Sequence, residues 1–195
     1  CPIINSKSND SIKLCYVGYN KNEESLKNRA SSGGIFELVA EYVLSEKGIV
    51  IGAAFNKEKK LIHTAIEKKN DLLQLKGSKY LQSDLGNIFK YVEKNIADRV
   101  ILFVGTPCQV AGIKKYIGNN KNLICIDLFC HGVPSPKLFN KYIKELESEY
   151  NEHVLDYNFR DKSTGWDNYS NTIKFEHKIQ TQYRIDNPYM KLFLS

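Results

Sequence analysis

Two cysteines follow directly on two apolar stretches, and their placement suggests chemistry more strongly than any other feature of the sequence. Cys108 comes four positions after the run 100–104, and Cys130 directly follows the run 123–129. A helical pattern follows each run, which is typical of buried parallel strands in an α/β sheet. Ligands bind such sheets outside the carboxyl ends of the strands, so both thiols are predicted to face one crevice. They suit a metal, an iron–sulfur cluster or a redox pair, or else they are small buried hydrophobic residues.

The residues around Cys108 favour a helix start that stabilises an anion. Thr106 and Gln109 have the spacing of a capping box, with Pro107 at the first helical position. Cys108 is therefore predicted in the first turn, where free backbone N–H groups and the helix dipole favour negative charge. A thiolate there is suited to act as a nucleophile or as a metal ligand.

Two further loops have the composition of cofactor-binding segments. Ser31-Ser32-Gly33-Gly34 precedes a helical stripe, so its hydroxyls and free N–H groups suit a phosphate, although by itself the segment is more often a plain helix cap. The loop 76–83 supplies two lysines, a tyrosine and two serines ahead of another predicted helix. That mixture suits a dinucleotide, with lysine on phosphate and the Tyr80 ring stacked on a base or flavin. An ordinary solvated turn is the alternative.

The composition is that of a globular protein. The chain has 195 residues, 42% hydrophobic and 26% charged, with no apolar run long enough for a membrane helix and no basic-then-apolar leader. Five cysteines without a secreted framework spacing predict reduced thiols and a cytoplasmic location. The net charge is +6, but the basic residues are not interleaved with aromatic residues as they are in nucleic-acid binders. This mild positive charge suits phosphate-bearing cofactors or an acidic electron-transfer partner.

Strand and helix patterns alternate over 48–148, which predicts an α/β fold: a mostly parallel or mixed central sheet with helices on both faces, followed by a small C-terminal β-rich appendage. Strands are predicted at 12–19, 49–55, 61–66, 100–104, 123–129, 154–159 and 172–175. Helices are predicted from Ile35 to Gly48, at 71–75, from a Ser83 cap, at 107–117 and from Ser135. The segment Arg160-Asp161-Lys162 with Trp166 is either a lid over the crevice or a surface hairpin. His131 is either a ligand or a structural histidine.

Four segments in this order closely resemble the coenzyme F420 hydrogenase/dehydrogenase beta-subunit family, in its bacterial branch. They are Ser31-Ser32-Gly33-Gly34, the loop 76–83, Gly105-Thr106-Pro107-Cys108-Gln109-Val110-Ala111-Gly112, and the stretch 127–136 that contains Cys130-His131-Gly132. Members of that family are iron–sulfur flavoproteins that bind FAD and a [4Fe–4S] cluster. The resemblance therefore implies that Cys108 and Cys130 are cluster ligands and that the first two loops face the flavin.

From the chemistry of these loops, we expect eleven residues to contact the cofactor. They are Ser32, Gly33, Gly34, Lys76, Ser78, Lys79, Tyr80, Gln82, Ser83, Thr106 and Gln109.

The two ends of the sequence depart from the family pattern. Cys1-Pro2 looks like the last Cys-Pro of a bacterial ferredoxin motif, and no companion cysteines precede it. Family members also continue beyond position 195 into a segment with further cysteines. We therefore expect 1–11 to be the remnant of a ferredoxin-type segment, 12–150 an FAD- and cluster-binding core, and 151–195 a truncated β-rich extension. The remaining cluster ligands are expected outside this chain, so the fragment by itself is expected to lack the cluster.

The resemblance implies an oxidoreductase that passes electrons between ferredoxin-type clusters, FAD and a small-molecule acceptor, either F420-like or of another kind. A ferredoxin-type domain or a partner oxidoreductase would be the electron partner. The alternative is a non-catalytic electron relay or interaction module with a degenerate flavin site.

Overall fold

The computed structural model describes residues 14–23 and 30–194. The predicted ferredoxin remnant at 1–11, with Cys1, lies outside these residues. The strand predicted at 12–19 is wrong where it can be checked, because residues 14–19 have no regular secondary structure. Most side chains of this segment are exposed, so its apolar residues find no sheet neighbour of the kind that stabilises a strand.

The larger sheet confirms the predicted α/β fold. It contains β1 (Ile49–Phe55), β2 (Leu61–Ile66), β3 (Ile101–Gly105) and β4 (Leu123–Asp127), in the spatial order β2-β1-β3-β4. Strands β1, β3 and β4 run parallel, and β2 pairs antiparallel with β1 as the predicted hairpin partner. The sheet is therefore mixed, with parallel strands whose carboxyl ends meet at one edge.

Helices cover both faces of this sheet because successive strand residues point to opposite sides. Val50 and Leu102 pack towards α1 (Ile35–Ser45) and a 3₁₀ helix (Lys69–Leu75). Ile51 and Phe103 pack towards α2 (Ile88–Asn95) and α3 (Pro107–Ile117) on the other face. The aliphatic strands thus bury both faces, as their nearly continuous apolar sequences predict.

Two helix boundaries differ from the predictions. Lys47, with φ of 56°, takes the left-handed position after α1, and the Gly48 N–H bonds the carbonyl of Val43 at 2.8 Å. Glycine is needed at position 48 for a steric reason, since a Cβ there would lie 2.5 Å from Val43 Cγ1. Helix α2 begins after Asn87, so Ser83 does not cap it; the Ser83 hydroxyl bonds other side chains.

The C-terminal region forms a second, antiparallel sheet. It follows α4 (Pro136–Tyr150), which begins at the predicted Ser135 cap, and contains β5 (Val154–Asp161), β6 (Ser170–Phe175) and β7 (Ile179–Tyr183). A last helix, α5 (Pro188–Leu194), packs its buried Tyr189 and Met190 on the same core. The predicted β-rich character of this region is confirmed. The sequence analysis predicts neither strand β7 nor helix α5. Strand β7 alternates exposed and half-buried positions, so its sequence has little hydrophobic signal.

Aromatic residues dominate the core between α4, α5 and the second sheet. Phe139, Tyr157, Phe159 and Tyr189 pack with ring centroids 4.4–6.1 Å apart, and Leu61 and Leu81 extend this core to the first sheet. The two sheets are therefore joined by a shared apolar core.

Candidate functional site

A cavity of about 390 Å³ opens beside the carboxyl ends of β3 and β4, where the parallel strands predict a ligand site. Its volume lies within the range of small-molecule sites. Its wall combines the 31–34 loop, the 76–79 loop and the start of α3 with apolar side chains of the neighbouring strands and loops. Nine of the eleven residues expected at the cofactor line it: Ser32, Gly33, Gly34, Lys76, Ser78, Lys79, Ser83, Thr106 and Gln109.

Helix α1 begins at this cavity. Gly34 precedes its first turn with φ of 74°, a left-handed conformation that favours glycine. Gly33 is held against residues 18–20: its carbonyl accepts from the Asn20 N–H at 2.6 Å, and a Cβ there would lie 2.7 Å from the Gly18 oxygen. The two glycines therefore allow the backbone to turn tightly and leave the N–H groups of the first turn beside the cavity.

Helix α3 also begins at the cavity. The predicted capping box is present, and its Gln109 Oε1 accepts from the Thr106 N–H at 3.0 Å. Two helix N-termini, each carrying the partial positive charge of the helix dipole, thus border the same space. This arrangement is suited to bind phosphate or another anion.

A chain of hydrogen bonds links the α3 start to a buried histidine. His63 Nε2 lies 3.1 Å from the Val104 carbonyl, which only accepts, so Nε2 carries the ring proton. Nδ1 then accepts from the Ser83 hydroxyl at 2.9 Å, and the Ser83 oxygen accepts from Gln109 Nε2 at 3.0 Å. The donor and the acceptor of each of these three hydrogen bonds are therefore defined.

Burial sets the charge of this histidine. His63 is 5% exposed and stacks on the Phe103 ring at 5.4 Å. Burial lowers the pKa of His63, and the Val104 carbonyl only partly offsets that effect. The imidazole is therefore neutral near pH 7, and one N–H of the Gln109 amide stays available to a ligand in the cavity.

The two lysines of the 76–79 loop have partners within the protein. Lys76 is buried and pairs with Glu37 of α1, its Nζ lying 3.0 Å from both carboxylate oxygens. Lys79 Nζ donates to the carbonyls of Leu75, Lys76 and Gly77 and so closes the end of the 3₁₀ helix. Ser78 donates to the Ser31 hydroxyl at 2.7 Å, which ties this loop to the first one. The lysines thus brace the wall of the cavity.

Tyr80 and Gln82 are placed away from this wall. The Tyr80 ring stacks on Phe193 at 4.6 Å and meets Phe159 edge-on, within the aromatic core. The Gln82 N–H bonds the Pro134 carbonyl at 3.1 Å, which ties the loop to the segment after Cys130. The structure therefore does not bring these two residues to the cavity with the other nine.

The two cysteines at the strand ends are both exposed. Cys108 lies in the first turn of α3, with Sγ 3.1 Å from Thr106 Oγ1, and Cys130 lies in the loop after β4 with Sγ 3.8 Å from the Gly132 carbonyl. Since β3 and β4 are neighbours, both thiols follow the same edge of the sheet. Across residues 14–23 and 30–194, no three His, Cys, Asp or Glu side chains are grouped closely enough to hold a metal ion.

The other cysteines lie elsewhere. Cys125 sits within β4 as predicted, half-buried, and burial raises the pKa of its thiol. Cys15 is exposed in the irregular segment at 14–20, so its predicted place in a strand is wrong. His131 packs its ring against Phe193 at 4.7 Å.

Comparison with known proteins finds a family model that matches most of the C-terminal half of the chain. Residues 98–191 match the family model for the C-terminal part of the beta subunit of coenzyme F420 hydrogenase/dehydrogenase. The predicted family is thereby confirmed. No curated protein matches the chain.

The likeness to known proteins extends beyond the matched segment. A solved chain from the F420-reducing [NiFe] hydrogenase complex of Methanosarcina barkeri, studied by xenon derivatization, superposes with a TM-score of 0.58 over 86% of this chain at 19% identity. The chain spans 60% of the length of that solved chain. At this identity the likeness shows a shared fold. Within the described residues, no helix combines the length and apolar character needed to cross a membrane.

His63 is the cavity residue that the sequence analysis missed. It lies in a strand of alternating pattern, and a lone histidine there gives no motif. Only the pairing of β2 with β1, and the packing of the 83–85 segment beside β2, bring it to Ser83 and Val104.

Proposed function

We propose that this chain forms the FAD-binding part of an iron–sulfur flavoprotein oxidoreductase of the F420 hydrogenase beta-subunit type. The observation that carries the proposal is the cavity in which the N-termini of α1 and α3 converge with a row of hydroxyl groups. The family of residues 98–191 supports an electron-transfer role. The acceptor we propose is a small molecule, either F420-like or of another kind.

The residues present fit the polar half of a dinucleotide. Ser31, Ser32 and Thr106 offer hydroxyls beside the two helix starts, so the diphosphate would bind where free N–H groups and positive dipole ends meet. Gly33 and Gly34 allow the ligand to approach the backbone closely, as they carry no Cβ. A side chain at either position would narrow this approach.

The residues present also fit a flat apolar ring. Leu61, Leu81, Ile126, Leu128 and Val133 contribute apolar surface to the cavity wall. The Gln109 amide, fixed in orientation through Ser83 and His63, can donate to a ring carbonyl or nitrogen. Bound FAD would supply the hydride and electron chemistry, while these residues would orient it and exclude water.

We further propose that Cys108 and Cys130 are two ligands of a [4Fe–4S] cluster in the complete protein. Their shared sheet edge and exposed thiols support this role. Such a cluster is held by four thiolates, so these two residues are an incomplete set, and we derive no step through the cluster.

An FAD titration of the 195-residue chain, followed by quenching of flavin fluorescence, tests the proposal. We expect saturable binding, and we expect Gly34→Asp to weaken it at least about tenfold, because a carboxylate would repel the diphosphate. Gly86→Asp is the matched control: Gly86 also has a positive φ, of 47°, but lies outside the cavity with open space around it. Equal loss in both variants would contradict a phosphate site at the start of α1.

The absence of any FAD binding by the wild-type chain would favour the electron-relay alternative. The ligand assignment has its own test in the anaerobically purified full-length protein. Cys108→Ser and Cys130→Ser should each lower the iron content, whereas Cys125→Ala should not, since Cys125 lies inside β4. Unchanged iron in both serine variants would overturn the assignment.

A further inference from the structure

The β5–β6 hairpin carries a row of alternating cations and aromatic rings that the proposed flavin site does not use. Lys162 Nζ lies 4.5 Å from the centroid of the Trp166 ring, and the Arg160 guanidinium carbon lies 5.7 Å from the same ring. The Arg160 guanidinium also lies 4.7 Å from the Tyr169 ring, which Arg184 approaches to 5.1 Å. We call these five residues the cation ladder: Lys162, Trp166, Arg160, Tyr169 and Arg184.

The three positive charges of the ladder lack neutralising partners. Among residues 14–23 and 30–194, no carboxylate forms an ion pair within 4.0 Å with Arg160, Lys162 or Arg184. Asp161, which stands between two of them in sequence, accepts instead from the Thr172 hydroxyl and the Ser163 N–H. The charges are therefore held together by rings rather than by counter-ions.

One donor of the ladder is both buried and unpaired. Arg160 Nε is inaccessible to solvent and has no hydrogen-bond partner. A buried donor in this state costs free energy, which adds to the electrostatic strain of the ladder. Burial, and to a lesser degree the charge of Arg160, also lowers the pKa of Lys162. An anion bound beside these two cations would offset the repulsion between them.

We propose that the cation ladder binds a phosphoryl group, such as the diphosphate of a small organic ligand. The rings are already faced by cations, so a ligand meets the ammonium and guanidinium groups rather than bare aromatic faces. Guanidinium groups bind phosphate oxygens through paired hydrogen bonds, and two of the three cations are arginines. Three positive charges along the ladder match the several negative charges of a diphosphate better than the single charge of a carboxylate.

This site is separate from the flavin cavity, because none of the five ladder residues lines that cavity. The two are nevertheless joined: Tyr169 interacts with Tyr80, which belongs to the loop that supplies Lys76, Ser78 and Lys79 to the cavity. The ladder therefore adjoins a segment that also contributes to the cavity wall. Its anion binding does not depend on the flavin proposal.

Calorimetric titration of the 195-residue chain with inorganic pyrophosphate tests the site. Apart from any pyrophosphate bound at the helix starts of the flavin cavity, we expect a saturable site whose affinity falls about tenfold or more in Arg160→Gln and in Arg184→Gln, since each removes a charged donor. Arg160→Lys keeps the charge but loses the planar fork, and it should fall between the wild type and Arg160→Gln. Citrate, a tricarboxylate, should bind more weakly than pyrophosphate.

Lys178→Met is the matched control. Lys178 also faces a ring in this region, with Nζ 3.6 Å from the Tyr150 centroid, but it is not part of the ladder. It should leave pyrophosphate affinity unchanged, and circular dichroism should show that all variants fold. No pyrophosphate binding by the wild type, or an equal loss in Lys178→Met, would overturn the proposal.

A competition experiment separates this site from the flavin site. If saturating FAD leaves pyrophosphate affinity at the ladder unchanged, the two sites are distinct, as proposed. If FAD displaces pyrophosphate and Arg160→Gln weakens FAD equally, the ladder is part of the flavin site and a separate site is excluded. If FAD fails to bind while pyrophosphate binds, the flavin proposal fails and the ladder stands.

Discussion

The first sheet and the second sheet are built from different residues and do different work. Ile51 and Leu102, fully buried in parallel strands, are typical of the aliphatic first sheet, and both of its faces lie under helices. The second sheet and its helices bury rings instead, Phe159 and Tyr189 among them. Stiff aliphatic strands hold loops at one edge, where the cavity lies, whereas large rings join elements that are far apart in sequence.

The cavity depends on both halves of the chain. Its α3 side lies within the family segment 98–191, but the 31–34 loop, the 76–79 loop and His63 lie before that segment. The segment that matches the family model therefore contains only one of the two helix N-termini at the site. The other depends on the packing of α1 against β1.

Removing one central ring should give the largest effect and would show whether the second sheet depends on its aromatic core. Phe159 is fully buried and contacts Phe55, Tyr80, Phe139, Tyr157 and Tyr189. Phe159→Ala should lower the free energy of unfolding by about 3–5 kcal/mol, through lost burial and the cavity left behind. Urea unfolding followed by circular dichroism measures the change.

The neighbouring Leu155 provides the control, since it lies on the same strand but is 55% exposed. Leu155→Ala should change stability by less than about 0.5 kcal/mol. Similar losses in the two variants would mean that the strand, rather than the ring cluster, carries the stability.

Breaking the Lys76–Glu37 pair should have the next largest effect, this time on the first sheet and its cavity wall. The two side chains are 5% and 14% exposed, so Lys76→Met leaves a carboxylate with little access to water. We expect the free energy of unfolding to fall by about 2–3 kcal/mol. This lies at or just below the lower end of the range for breaking a buried ion pair, because Glu37 is partly exposed. The double variant Lys76→Met/Glu37→Gln should recover most of it.

The exposed pair Lys141–Glu145 on α4 is the matched comparison, with side chains 76% and 66% exposed. Lys141→Met should leave the unfolding midpoint unchanged within error, because surface pairs contribute little. A loss as large as that of Lys76→Met would show that burial does not decide the strength of these pairs.

The sequence predicted the first sheet well because its signals are local. The runs at 49–55 and 61–66 are apolar strands bounded by turn residues, and β1 and β2 have those bounds. The Thr106–Gln109 capping box also depends on four consecutive residues, and it is present. Such patterns predict structure correctly because the interactions they depend on form between residues that are close in sequence.

The parts of the site that the sequence did not predict depend on contacts between residues distant in sequence. Tyr80 stacks on Phe193, more than a hundred positions away, so its loop chemistry alone could not reveal that the ring faces the aromatic core. Lys76 carries the charge expected at a phosphate, yet Glu37 of α1 neutralises it. Ser83 reads as a helix cap, but the pairing of distant segments places it between His63 and Gln109.

The smallest expected effect concerns the pH dependence of stability and tests whether the cavity wall carries a buried neutral histidine. Burial lowers the pKa of His63 below its ordinary value of 6.5. Below that pH the unfolded chain binds a proton that the folded chain does not. His63 therefore stabilises the fold fully above about pH 6.5, and this stability is lost as the pH falls towards the lowered pKa, by at most about 1.4 kcal/mol per pH unit.

Comparing the wild type with His63→Gln isolates this effect, since glutamine offers a donor and an acceptor but does not titrate. From about pH 7.5 to about pH 5.5, the free energy of unfolding of the wild type should fall by roughly 1 kcal/mol more than that of the variant. Parallel profiles for the wild type and His63→Gln would mean that the fold does not lower the pKa of His63, which would contradict its assignment as a buried neutral imidazole.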